Sequence, residues 1–236
     1  MDFEIEVDSL LDFLEKIKSD EYIIQADNTG LRVSSMDATQ VLYQNVLLDR
    51  SAFQKYPQVE KELEIPIEKH QKFVKLVKRF KSKVQLLVGD KYLVLSGPGS
   101  EAYMVLASKG IISIAPAPKK VAFDTFMKLK ADFFQEVIGD YDLLEANVFD
   151  LQVKGGELTV TTTDNVNRCI RKEKVEHPDG SSKYGEYLKE IFNSLSGDVN
   201  VAFKTDFPVM VKHNSKFVKT VYILAPFVEP VETEKK

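Results

Sequence analysis

The segment LRVSSMD at residues 31–37 returns at residues 158–164 as LTVTTTD, 127 residues further along the chain. Leu, Val and Asp keep their places in the two copies, and the positions between them are mostly small hydroxyl residues. A second echo links the sequence from Val84 with that from Val199, and a helical pattern precedes each copy. Such internal repetition predicts a duplicated domain of about 110 residues.

Each half of the chain repeats one smaller module. Residues 3–7 alternate apolar and acidic side chains, as a half-buried strand does, and apolar residues at helical spacing then predict a helix to about Ser19. Three short strands follow, and the same order begins again at Leu63. Similar patterns predict the other helices at 68–81, 131–141 and 182–195, and a strand at 121–129. The pattern predicts an α+β fold of two domains, each with two modules of strand, helix and strand meander.

The boundaries follow from composition. Residues 109–120 carry apolar residues without helical periodicity, together with two prolines and a closing pair of lysines, which is typical of an extended connector. We therefore predict domains at 1–108 and 121–229, joined by this connector. The charged residues 230–236 are predicted to be a flexible tail.

One region is strongly basic although the chain carries a net charge of −4. Seven lysine and arginine residues and no acidic residue lie between Lys69 and Lys83. On a helical projection, Lys72, Lys75 and Arg79 lie opposite an apolar face. The stripe is either an ordinary solvated helix face or a surface for phosphates. Because no aromatic residue interrupts it, backbone phosphate contact is favoured over base stacking.

Catalytic motifs are scarce in the sequence. The three histidines are isolated, and no phosphate-binding glycine loop occurs. Asp37 and Asp164 are candidates for a paired acid and base, but their equivalent places in the repeat favour turn-forming roles. The single Cys169 is interpreted as a small strand or core residue. We expect no metal, no cofactor and no enzyme activity. The acidic start and short apolar runs predict a protein without a membrane segment, located in the cytoplasm by default.

Three motifs, in this order, resemble those of the archaeal and eukaryotic sliding clamps, the proliferating cell nuclear antigen (PCNA) family. Residues 30–41, GLRVSSMDATQV, are similar to the family's Gly-Ile-x-x-x-x-Met-Asp-x-Ser-x-Val segment. Residues 182–188, SKYGEYL, are similar to its Ser-x-Tyr-x-x-x-Tyr-Leu segment. Residues 223–229, ILAPFVE, are similar to its Leu-Ala-Pro ending.

This resemblance implies the DNA-clamp fold and a three-subunit ring of six pseudo-equivalent domains around duplex DNA. It implies a processivity factor for DNA replication and repair, not an enzyme, that binds DNA polymerase, flap endonuclease, DNA ligase and the clamp loader through a short peptide motif. The location would be the archaeal nucleoid or the eukaryotic nucleus. The implied DNA contacts are Lys16, Lys72, Lys75, Lys78, Arg79, Lys81, Lys183 and Lys189. The implied peptide contacts are Met36, Gln40, Val41, Tyr43, Ile112, Ile114, Pro208, Ile223, Ala225 and Pro226.

The chain departs from the family pattern in three places. The helix at 131–141 carries Asp132, Glu136 and Asp140 where the family prefers lysine, and the first helix mixes acidic with basic residues. Phe227 replaces the basic residue that follows Leu-Ala-Pro. The sequence leaves open whether the ring is a homotrimer or a heterotrimer. The alternative function is an oligomeric protein-binding scaffold that does not encircle DNA. A hydrolase is disfavoured because no nucleophile and base are paired.

Overall fold

The computed structural model describes residues 1–108, 110–118, 121–164 and 166–228. The contacts divide the chain into two units. The first consists of Met1–Lys119 with Lys212–Tyr222, and the second of Lys120–Val211 with Ile223–Lys236. Lys109, Lys119 and Lys120 of the predicted connector and the whole predicted tail lie outside the described residues. The domain boundaries given above stay a prediction.

The first unit contains two α-helices, one 3-10 helix and nine strands among its described residues before the connector. Their bounds are β1 Asp2–Glu6, α1 Val7–Glu15, β2 Tyr22–Asp27, β3 Gly30–Met36, β4 Leu42–Asp49, β5 Phe53–Lys55, β6 Leu63–Ile67, α2 His70–Val77, β7 Lys83–Val88, β8 Tyr92–Gly97 and β9 Ser100–Val105.

These strands form antiparallel ladders within the first unit. One sheet has the order β5-β1-β7-β8-β9, and β4, β3, β2 and β6 lie side by side in another. Phe3, Phe13 and Phe73 are fully buried in the core that α1 and α2 share with the sheets. Gly30 is required at the start of β3, because its φ is +144° and a Cβ there would lie 2.0 Å from the Leu48 carbonyl oxygen.

The second unit contains the elements β10 Met127–Lys130, α3 Ala131–Leu143, β11 Phe149–Lys154, β12 Glu157–Thr163, β13 Arg168–Lys174, β14 Gly180–Tyr184, α4 Tyr187–Asn193 and β15 Asp198–Ala202. Four strands form a sheet in the order β13-β12-β11-β14, and β10 pairs with β15. Phe134 of α3 stacks on Phe192 of α4 with ring centroids 3.6 Å apart. The hairpin of β16 Val209–Asn214 and β17 Val218–Leu224 follows, and its residues 212–222 belong to the first unit.

In sequence order, the described elements repeat one module four times. A strand, an α-helix and three further strands begin in turn at β1, β6, β10 and β14, and the 3-10 helix Arg50–Ala52 and β5 are additions to the first module. The predicted α+β class with two such modules in each half of the chain is confirmed.

Two predicted elements differ from the structure. The predicted helix 182–195 is a strand, β14, followed by the shorter α4. Tyr184 lies in β14 and is buried there, so its four-residue spacing from Leu188 does not reflect a shared helix. The predicted strand 121–129 is confined to β10, because residues 121–126 have no strand partner among the described residues.

Candidate functional site

The basic face predicted from the sequence lies on α2 and the turn that follows it. Lys72, Lys75 and Lys78 are exposed, as are Arg79 and Lys81. The opposite face of α2 is buried in the core. Within the described residues, Lys72, Lys75, Arg79 and Lys81 have no ion-pair partner, whereas the Lys78 Nζ lies 3.9 Å from the Glu15 carboxylate. This surface therefore presents four uncompensated cations to solvent.

The first residue of α2 is anchored in the interior. His70 is 6% exposed, and its Nδ1 lies 2.9 Å from the buried Tyr22 hydroxyl. Its backbone amide donates to the Asp20 carbonyl oxygen at 3.0 Å. Burial lowers the pKa of His70; the charge of Asp20 opposes this and that of Lys18 reinforces it. The neutral imidazole thus fixes the start of the cationic helix.

Lys16 does not lie on this surface. Its side chain is 6% exposed and its Nζ pairs with Asp12 at 3.0 Å. The Ser215 hydroxyl donates to the same carboxylate at 2.6 Å, and the Tyr222 hydroxyl donates to the Lys16 carbonyl oxygen at 2.6 Å. The hairpin residues 212–222 therefore cover the end of α1, and the prediction of Lys16 as a phosphate contact disagrees with the structure.

The two predicted cations of the second unit are less available than those of α2. Lys189 lies on α4, where its Nζ is 2.5 Å from an Asp142 carboxylate oxygen and 6.0 Å from the Tyr141 ring centroid. Lys183 is half-buried and lies on β14, not on a helix. Neither side chain presents an exposed charge comparable to that of Lys72.

The acidic side chains of α3 are partly neutralised within their own unit. Arg171 of β13 donates to both Asp140 carboxylate oxygens, at 2.5 and 3.0 Å, and to Glu136 at 2.6 Å. The hydrogen bond from Arg171, together with its positive charge, holds the pKa of Asp140 below its ordinary value, although desolvation opposes this. The acidic face that departs from the family pattern is thus a salt-bridge site for a neighbouring strand.

In the first unit, the loop after β3 is held in shape by Asp37. Its carboxylate accepts hydrogen bonds from the Val41 amide at 2.7 Å, the Leu42 amide at 2.6 Å and the Thr39 amide at 3.0 Å. Desolvation would raise the pKa of Asp37, but a hydrogen bond from the Thr39 hydroxyl and those from the three amides outweigh it and lower the pKa. The loop leaves Met36 and Val41 half-buried and Gln40 exposed with φ of +58°. Tyr43 is buried, so its side chain packs beneath the loop and is not available to a peptide.

Asp164 acts in the same way in the second unit. It accepts hydrogen bonds from the Val166 and Asn167 amides at 2.9 and 2.6 Å. Each aspartate of the repeat therefore caps its own turn, which confirms the turn-forming interpretation.

Two backbone hydrogen bonds hold the described part of the connector and the residue that precedes it against the first unit. The Ala107 amide donates to the Pro66 carbonyl oxygen and the Ala115 amide to the Ser34 carbonyl oxygen, both at 3.2 Å. Between these points, Ile112 and Ile114 are half-buried and line a cavity of about 160 Å³ together with Ile23, Glu64, Pro66 and Gly110. Ile111, which the sequence did not single out, is 68% exposed.

The remaining predicted peptide contacts lie in the second unit. Pro208, Ala225 and Pro226 are half-buried and Ile223 is buried. The Phe227 amide donates to the Lys183 carbonyl oxygen at 2.7 Å, which holds the end of the Leu-Ala-Pro-Phe segment against β14. The prediction that these residues and those of the first unit form a single pocket stays a prediction.

Sequence analysis missed an aromatic surface in the second unit. The half-buried rings of Phe123 and Phe207 have centroids 5.8 Å apart, and the Lys204 Nζ lies within 6 Å of both. The Phe207 carbonyl oxygen accepts a hydrogen bond from the Tyr184 hydroxyl at 2.8 Å. The two closely spaced phenylalanines at 123 and 126 were the available signal, but the sequence analysis assigned both to the predicted strand 121–129.

The described residues contain no group of three or more His, Cys, Asp and Glu side chains arranged to hold a metal ion. Over the same part of the chain, no helix has the length and apolar character needed to cross a membrane.

Known proteins resemble the chain along nearly its whole length. No protein-family model matches it. It is 22% identical to the DNA polymerase sliding clamp of Methanococcus vannielii, over 89% of this chain and 91% of that protein. Among solved structures, A. fulgidus PCNA bound to the C-terminal region of FEN-1 matches with a TM-score of 0.85 and 18% identity, over 97% of this chain and 99% of that one.

Two further structures have the same fold. The PCNA2–PCNA3 complex from Sulfolobus tokodaii matches with a TM-score of 0.81 and 18% identity, over 96% of this chain and 99% of that one. The PCNA of Entamoeba histolytica matches with a TM-score of 0.85 and 17% identity, over 96% and 98%. The chain therefore has the fold of the PCNA-type sliding clamps, and the predicted resemblance to them is confirmed.

Proposed function

We propose that this protein is a DNA sliding clamp: a ring that encircles duplex DNA and tethers replication and repair enzymes without catalysing a reaction. The observation that carries the proposal is the cationic face of α2 and the turn that follows it, with four side chains free of ion pairs in the described structure, on a PCNA-type fold. A scaffold that binds only proteins has no need of this face.

The contacts with DNA are proposed to be weak and independent of sequence. Lysine and arginine neutralise backbone phosphates without reading bases, so a ring held by such contacts remains free to slide. In this chain we assign the contacts to Lys72, Lys75, Lys78, Arg79 and Lys81. Lys183 and Lys189 are weaker candidates for phosphate contacts, and the buried Lys16 is not assigned a DNA contact.

Partner enzymes are proposed to bind through a short peptide with an apolar anchor. In the first unit, Met36, Gln40 and Val41 stand on a loop that Asp37 preorganises, and Ile112 and Ile114 lie in the connector. In the second unit, we assign Pro208, Ile223, Ala225 and Pro226 to the same role. The complex of A. fulgidus PCNA with the FEN-1 C-terminal region supports flap endonuclease as one partner class. DNA polymerase, DNA ligase and a clamp loader are proposed to bind in the same way.

The ring is proposed to form from three clamp subunits joined edge to edge. The strands β9 and β13 each lie at the end of a sheet, and we assign the subunit contacts to these two strands. The Sulfolobus tokodaii complex supports assembly between clamp chains. The proposed location is with DNA, in the archaeal nucleoid or the eukaryotic nucleus.

Retention on circular DNA tests the proposal. The protein is loaded with a clamp loader onto nicked circular plasmid, and retention in high salt is measured before and after the plasmid is cut once. We expect the wild type to stay on the circle and to leave through the new ends, because a topological link does not depend on ionic contacts. Equal retention on cut and uncut DNA would contradict the proposal that the protein encircles DNA as a ring.

A triple charge reversal tests the assigned helix. Lys72→Glu, Lys75→Glu and Arg79→Glu together are expected to weaken direct binding to duplex DNA and to reduce polymerase stimulation. The matched control reverses three exposed lysines elsewhere, Lys61, Lys154 and Lys219, and so makes the same change in net charge. The slope of log K against log salt is negative, and each phosphate contact contributes about 0.9 to its magnitude. Losing three contacts should therefore make the slope shallower by about 2.7 per bound chain. If both triple variants behave alike, the non-DNA scaffold is the better explanation.

A further inference from the structure

A small cavity lies in the first unit between the connector and the strands β2 and β6. Its volume of about 160 Å³ is roughly ten times the space that one water molecule needs, but it is well below the size of a typical small-molecule site. The hydrogen bonds from Ala107 to Pro66 and from Ala115 to Ser34 hold the chain on either side of residues 110–114. This connector cavity is therefore preformed and has room for one long side chain.

The lining of the connector cavity combines apolar walls with one carboxylate. The walls are formed by Ile23, Pro66, Ile112 and Ile114. Glu64 is the one charged residue among the described residues that line it. The Glu64 side chain is exposed and has no ion-pair or hydrogen-bond partner within the described part of the chain. Its neighbour across the strands, Gln25, does not bind it, because the Gln25 side-chain amide donates to Glu62 at 2.8 Å.

A larger cavity adjoins the connector cavity at Glu64. Its volume is about 420 Å³, and it shares Glu64 and Pro66 with the smaller cavity. The other charged residues that line it are Asp90 and Lys91, in the turn between β7 and β8. Lys91 forms no ion pair with Glu64 in the described structure, so the Glu64 carboxylate stays available. The larger cavity has room for a peptide backbone whose side chain enters the smaller one.

The chemistry of the connector cavity selects among the side chains that could enter it. An apolar side chain would displace water from the Glu64 carboxylate without supplying a hydrogen bond or a charge. A lysine or arginine has an apolar stem that suits the isoleucine walls and a cationic head that pairs with the carboxylate. No lysine or arginine among the described residues of this chain lines the cavity. The matching basic group therefore has to come from a partner.

We propose that the connector cavity binds the side chain of a lysine or arginine in a partner peptide, with Glu64 as its counter-ion. This inference rests on the proposed peptide-binding role of the first unit, and it names a chemical preference of that site. A basic residue outside the apolar anchor of the peptide adds to the affinity, so it discriminates among partners that share the same anchor.

Calorimetry of the full chain with matched peptides tests the proposal. One series consists of Gln-x-x-Leu-x-x-Phe-Phe peptides with alanine extensions at both ends, each carrying a single lysine at a different extension position. The second series has norleucine in place of lysine, which keeps the apolar stem and removes the charge. At one position we expect lysine to bind about threefold to fivefold more tightly than norleucine, as one solvent-accessible ion pair allows. In Glu64→Gln the two peptides should bind equally.

Glu60→Gln is the matched control variant. Glu60 is also exposed and lies outside both cavities, so the variant loses the same charge without changing their lining. An unchanged affinity for the norleucine peptides shows that Glu64→Gln is folded. A lysine advantage that persists in Glu64→Gln, or that falls equally in both variants, would overturn the assignment of Glu64.

The same titrations separate this inference from the proposed function. If the norleucine peptides bind but lysine gives no advantage at any position, the connector cavity takes no basic side chain and the peptide site still stands. If no peptide of either series binds the wild type, the peptide site of the proposed function is refuted, and the preference for a basic residue is refuted with it.

Discussion

Acidification should loosen the anchor of the cationic helix, since His70 is held neutral in the folded protein. The imidazole is buried against Tyr22 at the first residue of α2, and burial lowers its pKa below the ordinary value of 6.5. The unfolded chain therefore binds a proton at a higher pH than the folded chain does. As the pH falls below about 6.5, the unfolded state gains a proton that the native state lacks, and the free energy of unfolding decreases.

The size of this effect has an upper limit. One group that is protonated only in the unfolded state changes the free energy of unfolding by about 1.4 kcal/mol per pH unit. The decrease begins near pH 6.5 and levels off below the lowered pKa of folded His70. The aspartates with lowered pKa values, such as Asp37 and Asp140, start from an ordinary value of 3.8, so their contribution is lost at more acidic pH.

Urea unfolding at pH 7.5, 6.5, 5.5 and 5.0 measures the effect in the wild type and in His70→Asn. Asparagine keeps a polar atom near the position of Nδ1 but does not titrate in this range. We expect the variant to be less stable at pH 7.5 and to lose less stability on acidification, so the two curves converge. Other histidines contribute equally to both proteins and cancel in the difference. Parallel curves over this range would refute the assignment of His70 as the titrating anchor.

Two further predictions concern backbone and loop geometry. Gly30→Ala should lower the free energy of unfolding by about 1–3 kcal/mol, because the new methyl group meets the Leu48 carbonyl oxygen. Gly139→Ala, at an open position in the middle of α3, should raise the free energy of unfolding by up to about 1 kcal/mol. Urea unfolding of both variants checks these two expectations. Ile114→Asp should weaken binding of a Gln-x-x-(Ile/Leu)-x-x-Phe-Phe peptide by about 1–2 kcal/mol in calorimetry, while Ile111→Asp, in the most exposed isoleucine of the connector, serves as the control. Equal peptide affinities for Ile114→Asp and the wild type would contradict the pocket assignment.

The repeat was the part of the fold that sequence predicted best. Period-two and period-3.6 patterns located three of the four helices because each module buries one face, and the predicted helix 131–141 lies within α3, Ala131–Leu143. The failure at β14 has a local cause. Tyr184, Leu188 and Ile191 fit a helical stripe, yet only Leu188 and Ile191 lie on α4. The module order itself, with a strand before every helix, was the signal that would have separated β14 from α4.

The candidate site was less predictable because a sequence shows which charges exist and not which are already paired. The sequence does not distinguish Lys16, Lys72 and Lys189. In the structure, the hairpin 212–222 buries Lys16, and Asp142 forms an ion pair with Lys189. Only tertiary contacts make this distinction, and they leave α2 as the helix with uncompensated positive charge in the described structure. The same contacts explain the acidic side of α3. Glu136 and Asp140 hold Arg171 on the inner face of β13, so Arg168 and Lys172 of the same strand remain on its outer face. The acidic residues that looked out of place for DNA binding thus help to order the basic edge strand that we assign to the contact between clamp subunits.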